Sequence, residues 1–169
     1  MQPGTLVYPA TSGTPETYDT PLTLQILASI MARVWVGDLS AAFTQGIKHQ
    51  RPEPLFCSPP PGGIPGEDDD ILIELIAEVY GLITGPPGWR ISLFTAFKEV
   101  GFKRHPMAPC LALMYEKVND IPRLTGAILV ETDDLLGGGV GEAFDTAIAE
   151  LRRRFKFGKW VELMDKSTE

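Results

Sequence analysis

The sequence predicts an α+β fold, and three observations lead there. Short runs rich in β-branched and aromatic residues read as strands: Val34-Trp35-Val36, Cys110–Tyr115, Leu124–Thr132 and Phe157–Leu163. Segments with apolar residues at helical spacing lie between and before them. Taking the ambiguous stretch Ile71–Tyr80 as mostly helical, the order suits a βαββαβ, ferredoxin-like antiparallel sheet backed by helices on one face. A length of 169 residues is that of one domain. Residues 1–20, rich in Thr, Pro, Gly and Ser, form a loose lead-in, and residues 21–165 the folded unit.

Each element has a local reason. Thr20-Pro21 resembles a helix start, with Thr as cap and Pro in the first turn. Leu24, Leu27, Ile30 and Met31 follow as its apolar face. The strand at 34–36 ends at Gly37-Asp38, and a short helix can start at Ser40. Residues 51–70 are a Pro/Gly loop closed by an acidic run, Glu67 to Asp70, that suits a solvated turn or a first helical turn. Gly81 to Gly88 is a second turn-rich link. Trp89, Leu93, Ala96, Phe97 and Val100 make one face of an amphipathic helix. The strands at 110–115 and 124–132, connected through Asn119-Asp120, pair antiparallel. Phe144, Ala147, Ile148, Leu151 and Phe155 form the next helical face, and Arg152, Arg153 and Arg154 sit near its C-terminus, where cations suit the dipole. Phe157–Leu163 closes the sheet.

Composition narrows the function. Lys and Arg number 15 against 22 Asp and Glu, a formal charge of −7. A basic nucleic-acid module shows the opposite sign, so the chain alone should bind nucleic acid weakly. Cys57 and Cys110 lack metal spacing; two intracellular thiols are the favoured reading, with a single disulfide as the alternative. His49 and His105 lie in polar basic stretches and read as solvated loop residues. No apolar run reaches the ~20 residues of a membrane span, and no signal segment opens the chain. The expectation is a soluble, intracellular protein with no membrane partner.

Chemistry concentrates at strand ends. Asp38 closes one strand, and Asp133-Asp134 closes another. In a βαββαβ sheet those strands would be central neighbours. Carboxylates converging there would make a hard oxygen site suited to Mg²⁺, and two such ions clamp the oxygens of an in-line phosphoryl transfer. Asp is equally a favoured turn residue, so a purely structural role stands beside the catalytic one.

A run of motifs bears on that choice. Val36-Gly37-Asp38-Leu39-Ser40-Ala41-Ala42-Phe43-Thr44-Gln45-Gly46 resembles the first catalytic motif, LDVxxAFLxG, of Copia-type retrotransposon reverse transcriptases. In the same order, Pro59-Pro60-Pro61-Gly62 resembles their PPGF loop. Val79-Tyr80-Gly81-Leu82 with Pro86 and Trp89 resembles LYGLxxAPRxW. Gly101-Phe102 and Pro109-Cys110-Leu111 resemble GFxxSxxDPCLY, and the stretch from Ala127 to Leu136 resembles xLxVYVDDxL. The resemblance covers roughly residues 22–163 and rests on the order and spacing of motifs that are individually weak.

The resemblance implies a palm-type sheet with part of the fingers, drawn from a longer RNA-directed DNA polymerase. It implies that Asp38, Asp133 and Asp134 are catalytic and, with the backbone carbonyl of Leu39, hold two Mg²⁺ or Mn²⁺ ions. Phe43 would be the steric gate that excludes a ribose 2′-hydroxyl, although an ordinary core aromatic is the simpler role for a Phe. Tyr80 and Gly81 would line the incoming nucleotide. Primer–template and dNTP would be the partners of the full-length enzyme, in the cytoplasm or in element-derived particles. The basic fingers segment, thumb and ribonuclease H domain would lie outside this chain, so activity alone is not expected. Three positions depart from the motifs: Glu131 for Tyr, Pro87 for Arg and Ala108 for Asp. The alternative is a decayed or co-opted palm that acts as a non-catalytic interaction module.

Overall fold

The computed structural model describes residues 14–46, 48, 53–68 and 70–163. Most of the lead-in, His49, Asp69 and the last residues of the expected domain lie outside them. In chain order the elements are α1 (Asp19–Ser29), β1 (Arg33–Leu39), a 3₁₀ turn (Ala42–Gln45), β2 (Phe56–Cys57), β3 (Ile73–Glu74), α2 (Gly85–Glu99), β4 (Phe102–Arg104), β5 (Leu111–Val118), β6 (Ile121–Glu131), β7 (Asp134–Gly139), α3 (Glu142–Arg154) and β8 (Phe157–Leu163).

Six strands form one antiparallel sheet in the order β4-β5-β6-β7-β1-β8, and β2 pairs β3 separately. Side chains alternate across the sheet. Trp35, Leu39, Ala112, Met114, Ile128, Val130 and Leu135 point to one face and join Trp89, Leu93 and Phe97 of α2 and Phe144, Ile148 and Leu151 of α3. Leu111, Leu113, Ala127 and Leu129 point the other way and meet Leu27 of α1. The expected helical backing of one face is therefore supplied by α2 and α3, while α1 covers part of the opposite face.

Several sequence expectations shift. The buried stripe of α1 is Asp19, Thr23 and Leu27, whereas Leu24 and Met31 are exposed. Its N-terminus is fixed by Asp19, whose carboxylate accepts the Glu16 N–H at 2.9 Å, rather than by a Thr20 cap. α2 starts at Gly85, inside the expected link, because Pro86 and Pro87 fall in the first turn, where a missing N–H costs nothing. Ile71–Tyr80 is not helical. Its acids Glu74 and Glu78 have the spacing of a helix face, yet only Ile73–Glu74 becomes regular, by pairing with Phe56–Cys57. Asn119-Asp120 is a two-residue hairpin turn with φ of 51° and 62°, the I′ geometry that favours these residue types. Neither cysteine is in a disulfide; Cys110 is buried and Cys57 half-buried. His105 is half-buried, and its Nδ1 accepts the Ala108 N–H at 3.0 Å.

The largest departure is β7. Leu135-Leu136-Gly137-Gly138-Gly139 has poor strand propensity, yet it forms a central strand between β6 and β1. Its glycines are there for space. A Cβ on Gly137 would lie 2.4 Å from the Trp35 ring, and one on Gly139 would lie 2.4 Å from Phe144. Aromatic rings from β1 and α3 thus lie directly on the β7 backbone. The strands carrying Asp38 and Asp133 are consequently not neighbours.

Candidate functional site

β7 changes which carboxylates meet. Asp38 is paired directly with Asp134 across β1 and β7. Asp134 is also paired with Glu131 across β7 and β6. One row of the sheet therefore reads Glu131, Asp134, Asp38 over three adjacent strands. Directly opposed Cβ atoms in such a ladder are about 4.5–5.5 Å apart, and like charges there are destabilising. The row lies on the sheet face away from α2 and α3. The sequence assigned Asp133 to the partnership with Asp38, but the facing residue is Asp134.

Asp133 and Thr132 make the two-residue turn joining β6 to β7. Thr132 has φ 56°, and Asp133 does not share the positive φ. That sequence of angles matches a II′ turn, whose first position favours Gly. A β-branched residue in the left-handed region is strained and persists only where its surroundings hold it. Two hydrogen bonds hold this one. Trp89 of α2 donates its indole Nε1–H to the Thr132 carbonyl at 2.7 Å, and the Leu39 N–H donates to the Asp133 carbonyl at 2.8 Å. The turn is pinned from the helix layer and from β1 together.

The rest of the surround comes from β8 and the 3₁₀ turn. Asp38 packs against the bare Cα of Gly158, where an added Cβ would lie 2.7 Å from its Oδ2. Gln45 fastens this corner: its Nε2 donates to the Ser40 carbonyl at 2.6 Å, and its Oε1 accepts the Lys156 N–H at 2.6 Å. A cavity of about 280 Å³ opens beside the row. Val36, Leu129 and Leu136 contribute its apolar lining, Asp38, Glu131 and Asp134 its acids, and Lys159 and Thr20 lie at it too.

The field at the row is negative. Burial, then the charges of Asp133 and Asp38, raise the Asp134 carboxyl above its ordinary range. Positive charge would relieve that field, and hard carboxylate oxygens are the donors a divalent cation takes. Among the described residues, however, no three His, Cys, Asp or Glu side chains form a group arranged to hold a metal. The chemistry of the donors fits such an ion; a closed cage around one is not formed.

The remaining sequence-predicted residues form a second group. Phe43 is 6% exposed in the α2/α3-side core and packs on Tyr80, ring centroids 4.5 Å apart. Tyr80 is 62% exposed, and Gly81 beside it has φ 96°. Leu39 is buried in the same core. Of the predicted residues, Asp38 and Asp134 line the cavity, Asp133 adjoins it in the turn, and Phe43, Tyr80 and Gly81 do not line it. Sequence reasoning missed the bracing role of Trp89 and the proximity of Lys159 and Gly158. Trp89 was visible only as a helix-face residue, and the other two depend on the β1–β8 register. No helix among the described residues is long and apolar enough to cross a membrane. No family model, curated protein or solved structure matches the chain.

Proposed function

We propose that the chain is the palm, with part of the fingers, of a Copia-like reverse transcriptase. The observation that carries this reading is the opposition of Asp38 and Asp134 on adjacent central strands beside a strained, doubly pinned turn bearing Asp133. The topology supports it as well. In this reading β1, α2, β6, β7, α3 and β8 would be the βαββαβ unit, with β4 and β5 extending one edge of the antiparallel sheet.

In this reading Asp38, Asp133 and Asp134 would hold two Mg²⁺ or Mn²⁺ ions together with the Leu39 carbonyl. The chemistry divalent ions supply in such a site is neutralisation of charge on the attacking and leaving oxygens of nucleotidyl transfer. The chain's own contribution is position. Trp89 and Leu39 keep the turn from retracting, and Gly158 leaves room for the Asp38 carboxylate. Lys159 offers a cation to a phosphate at the cavity. Phe43, backed by Tyr80, would be the wall under the nucleotide sugar, with Gly81 in the adjoining turn. Primer–template and dNTP are the partners this chemistry requires.

One observation favours a second reading, a non-catalytic palm-fold interaction module. Glu131 stands directly opposite Asp134, which adds a further acid to the row where the catalytic motif has Tyr. Primer extension on a primed RNA template separates the two. The polymerase reading expects extension by a longer chain that adds flanking sequence at both ends, lost in Asp38→Asn. No extension by that longer chain, with the fold intact by circular dichroism, would favour the module.

A further inference from the structure

α3 presents a second face beside its buried one. Phe144, Ile148 and Leu151 enter the core. Glu142, Ala143, Ala147, Glu150 and Arg154 form the neighbouring stripe at helical spacing and line a groove of about 730 Å³. The opposite wall is Glu99 and Val100 at the C-terminal end of α2, with Met114 and Glu116 of β5. From Glu142 to Arg154 the stripe runs about 18 Å at ~1.5 Å per residue. The floor is apolar: Met114 is 5% and Ala147 4% exposed, and Val100 packs on the same core. The rim is acidic. Arg154 engages Glu99 and Glu150, and Arg153 also holds Glu150. Glu116 and Glu142 have no ion pair among the described residues. Glu116 Oε1 is shut from solvent beside Gly141, where an added Cβ would lie 3.5 Å away, and it accepts no hydrogen bond among the described residues. The N-terminal end of α3 offsets part of that cost, and a cation in the groove would offset more. The groove continues outward along the β5–β6 hairpin. β4 pairs β5 no further than Met114, and β7 pairs β6 no further than Gly126. Beyond them residues 115–124 form an arm whose strands pair with each other. Val118, on the face of Glu116, is 46% exposed, and Ile121 opposite it is 69% exposed.

We propose that this groove docks a basic amphipathic helix of a partner protein. Its length is that of about three helical turns, the reach of a helix laid in a groove by its apolar face. Ala143 and Ala147 are small enough for a second helix to come close against α3. Charge complementarity chooses the flanks of that helix: four glutamates to one arginine at the rim favour Lys and Arg beside the apolar stripe. Val118 and Ile121 offer an apolar step where the helix leaves the groove. The net charge of −7 adds attraction at longer range. None of these residues belongs to the carboxylate row, so the docking surface stands independently of the polymerase reading.

A peptide titration of the full chain tests it. The probe is a synthetic peptide of leucine and lysine at helical spacing, about fourteen residues and ~21 Å long as a helix. Methyl resonances of Met114, Val118, Ala143 and Ala147 report where it binds. The wild type should bind it saturably, with those methyls shifting, and more weakly as salt rises. Ala143→Arg places bulk and like charge in the groove at an exposed position, and should weaken binding at least about tenfold. Glu116→Gln combined with Glu142→Gln should weaken it about fivefold. Asp145→Asn removes the same charge from α3 outside the groove and should change affinity less than about twofold. Groove methyls that do not shift in the wild type overturn the proposal. So does a peptide of the same composition in scrambled order that binds equally well, because charge alone then accounts for the affinity. Undiminished binding by Ala143→Arg, with the fold intact by circular dichroism, overturns it too. If that variant does not fold, the double glutamine variant decides: unchanged affinity overturns the proposal. Shifts of the same methyls on concentrating the chain without peptide assign the groove to a second copy, and overturn the partner assignment.

Discussion

Replacing Trp89 by Phe isolates the contact that pins the carboxylate turn. The indole is 1% exposed and makes two identifiable interactions. Its Nε1–H satisfies the Thr132 carbonyl, and its ring meets Phe155 edge-on at 5.5 Å. A phenyl ring keeps much of the packing and none of the hydrogen bond. Leaving a carbonyl unsatisfied costs about 1–3 kcal/mol. The smaller ring forfeits about 40 Å² of buried apolar surface, ~1 kcal/mol at ~25 cal/mol/Å². The expected loss is therefore about 2–4 kcal/mol in urea unfolding followed by far-ultraviolet circular dichroism. The loss should also be local. The Leu39 amide, bonded to the Asp133 carbonyl, should exchange faster, while amides of the β5–β6 hairpin should change only by the global amount. Thr132→Gly supplies the internal control. Glycine removes the strain at φ 56°, so Trp89→Phe should cost less in that background, by about 1 kcal/mol. A loss below ~0.5 kcal/mol, or full additivity of the two changes, would refute the claim that α2 holds a strained turn.

Other outcomes follow from the same geometry. Gly137→Ala should destabilise by about 1–3 kcal/mol through overpacking against Trp35, and thermal unfolding reads it directly. Asp134→Asn should stabilise the protein at neutral pH. The Asp134 pKa is raised on folding, so its ionised form opposes folding, and the gain should fade as pH falls through the raised folded value and be gone below the unfolded value of about 3.9. Glu150 behaves with the opposite sign. Hydrogen bonds from Arg153 and Arg154 hold its carboxyl down to about 2. Its contribution is present above the unfolded value near 4.3 and lost as pH falls toward 2, so Glu150→Gln should flatten the acid limb of the stability profile.

What the sequence disclosed depended on whether a residue's reason was local. β8 lies where its aromatic and β-branched pattern put it, and the Asn119-Asp120 hairpin follows from turn chemistry. The buried faces of α2 and α3 follow from 3.6-residue spacing. β7 was illegible because its glycines answer to Trp35 and Phe144, residues far away in the chain. The phase of α1 was misjudged for a similar reason. Asp19 and Thr23 are buried polar residues, and Thr23 Oγ1 donates to the Asp19 carbonyl at 2.7 Å, so a hydropathy stripe cannot reveal that face. At the site, Asp38 and the Asp pair stood out as acids at strand ends. Which of the pair faces Asp38 depended on the unseen strand, and so did the inclusion of Glu131 in the row. Gly158 and Lys159 reach the site only through the β1–β8 pairing, which no local pattern encodes.

The central claim is that Asp38, Asp133 and Asp134 are a divalent-cation site held ready by the turn. Calorimetric titration of Mg²⁺, repeated with Mn²⁺, tests it in the wild type, Asp38→Asn and Asp133→Asn, each checked for an intact fold. Saturable binding by the wild type, lost in both variants, is the predicted result. Identical heats in all three proteins would contradict the account.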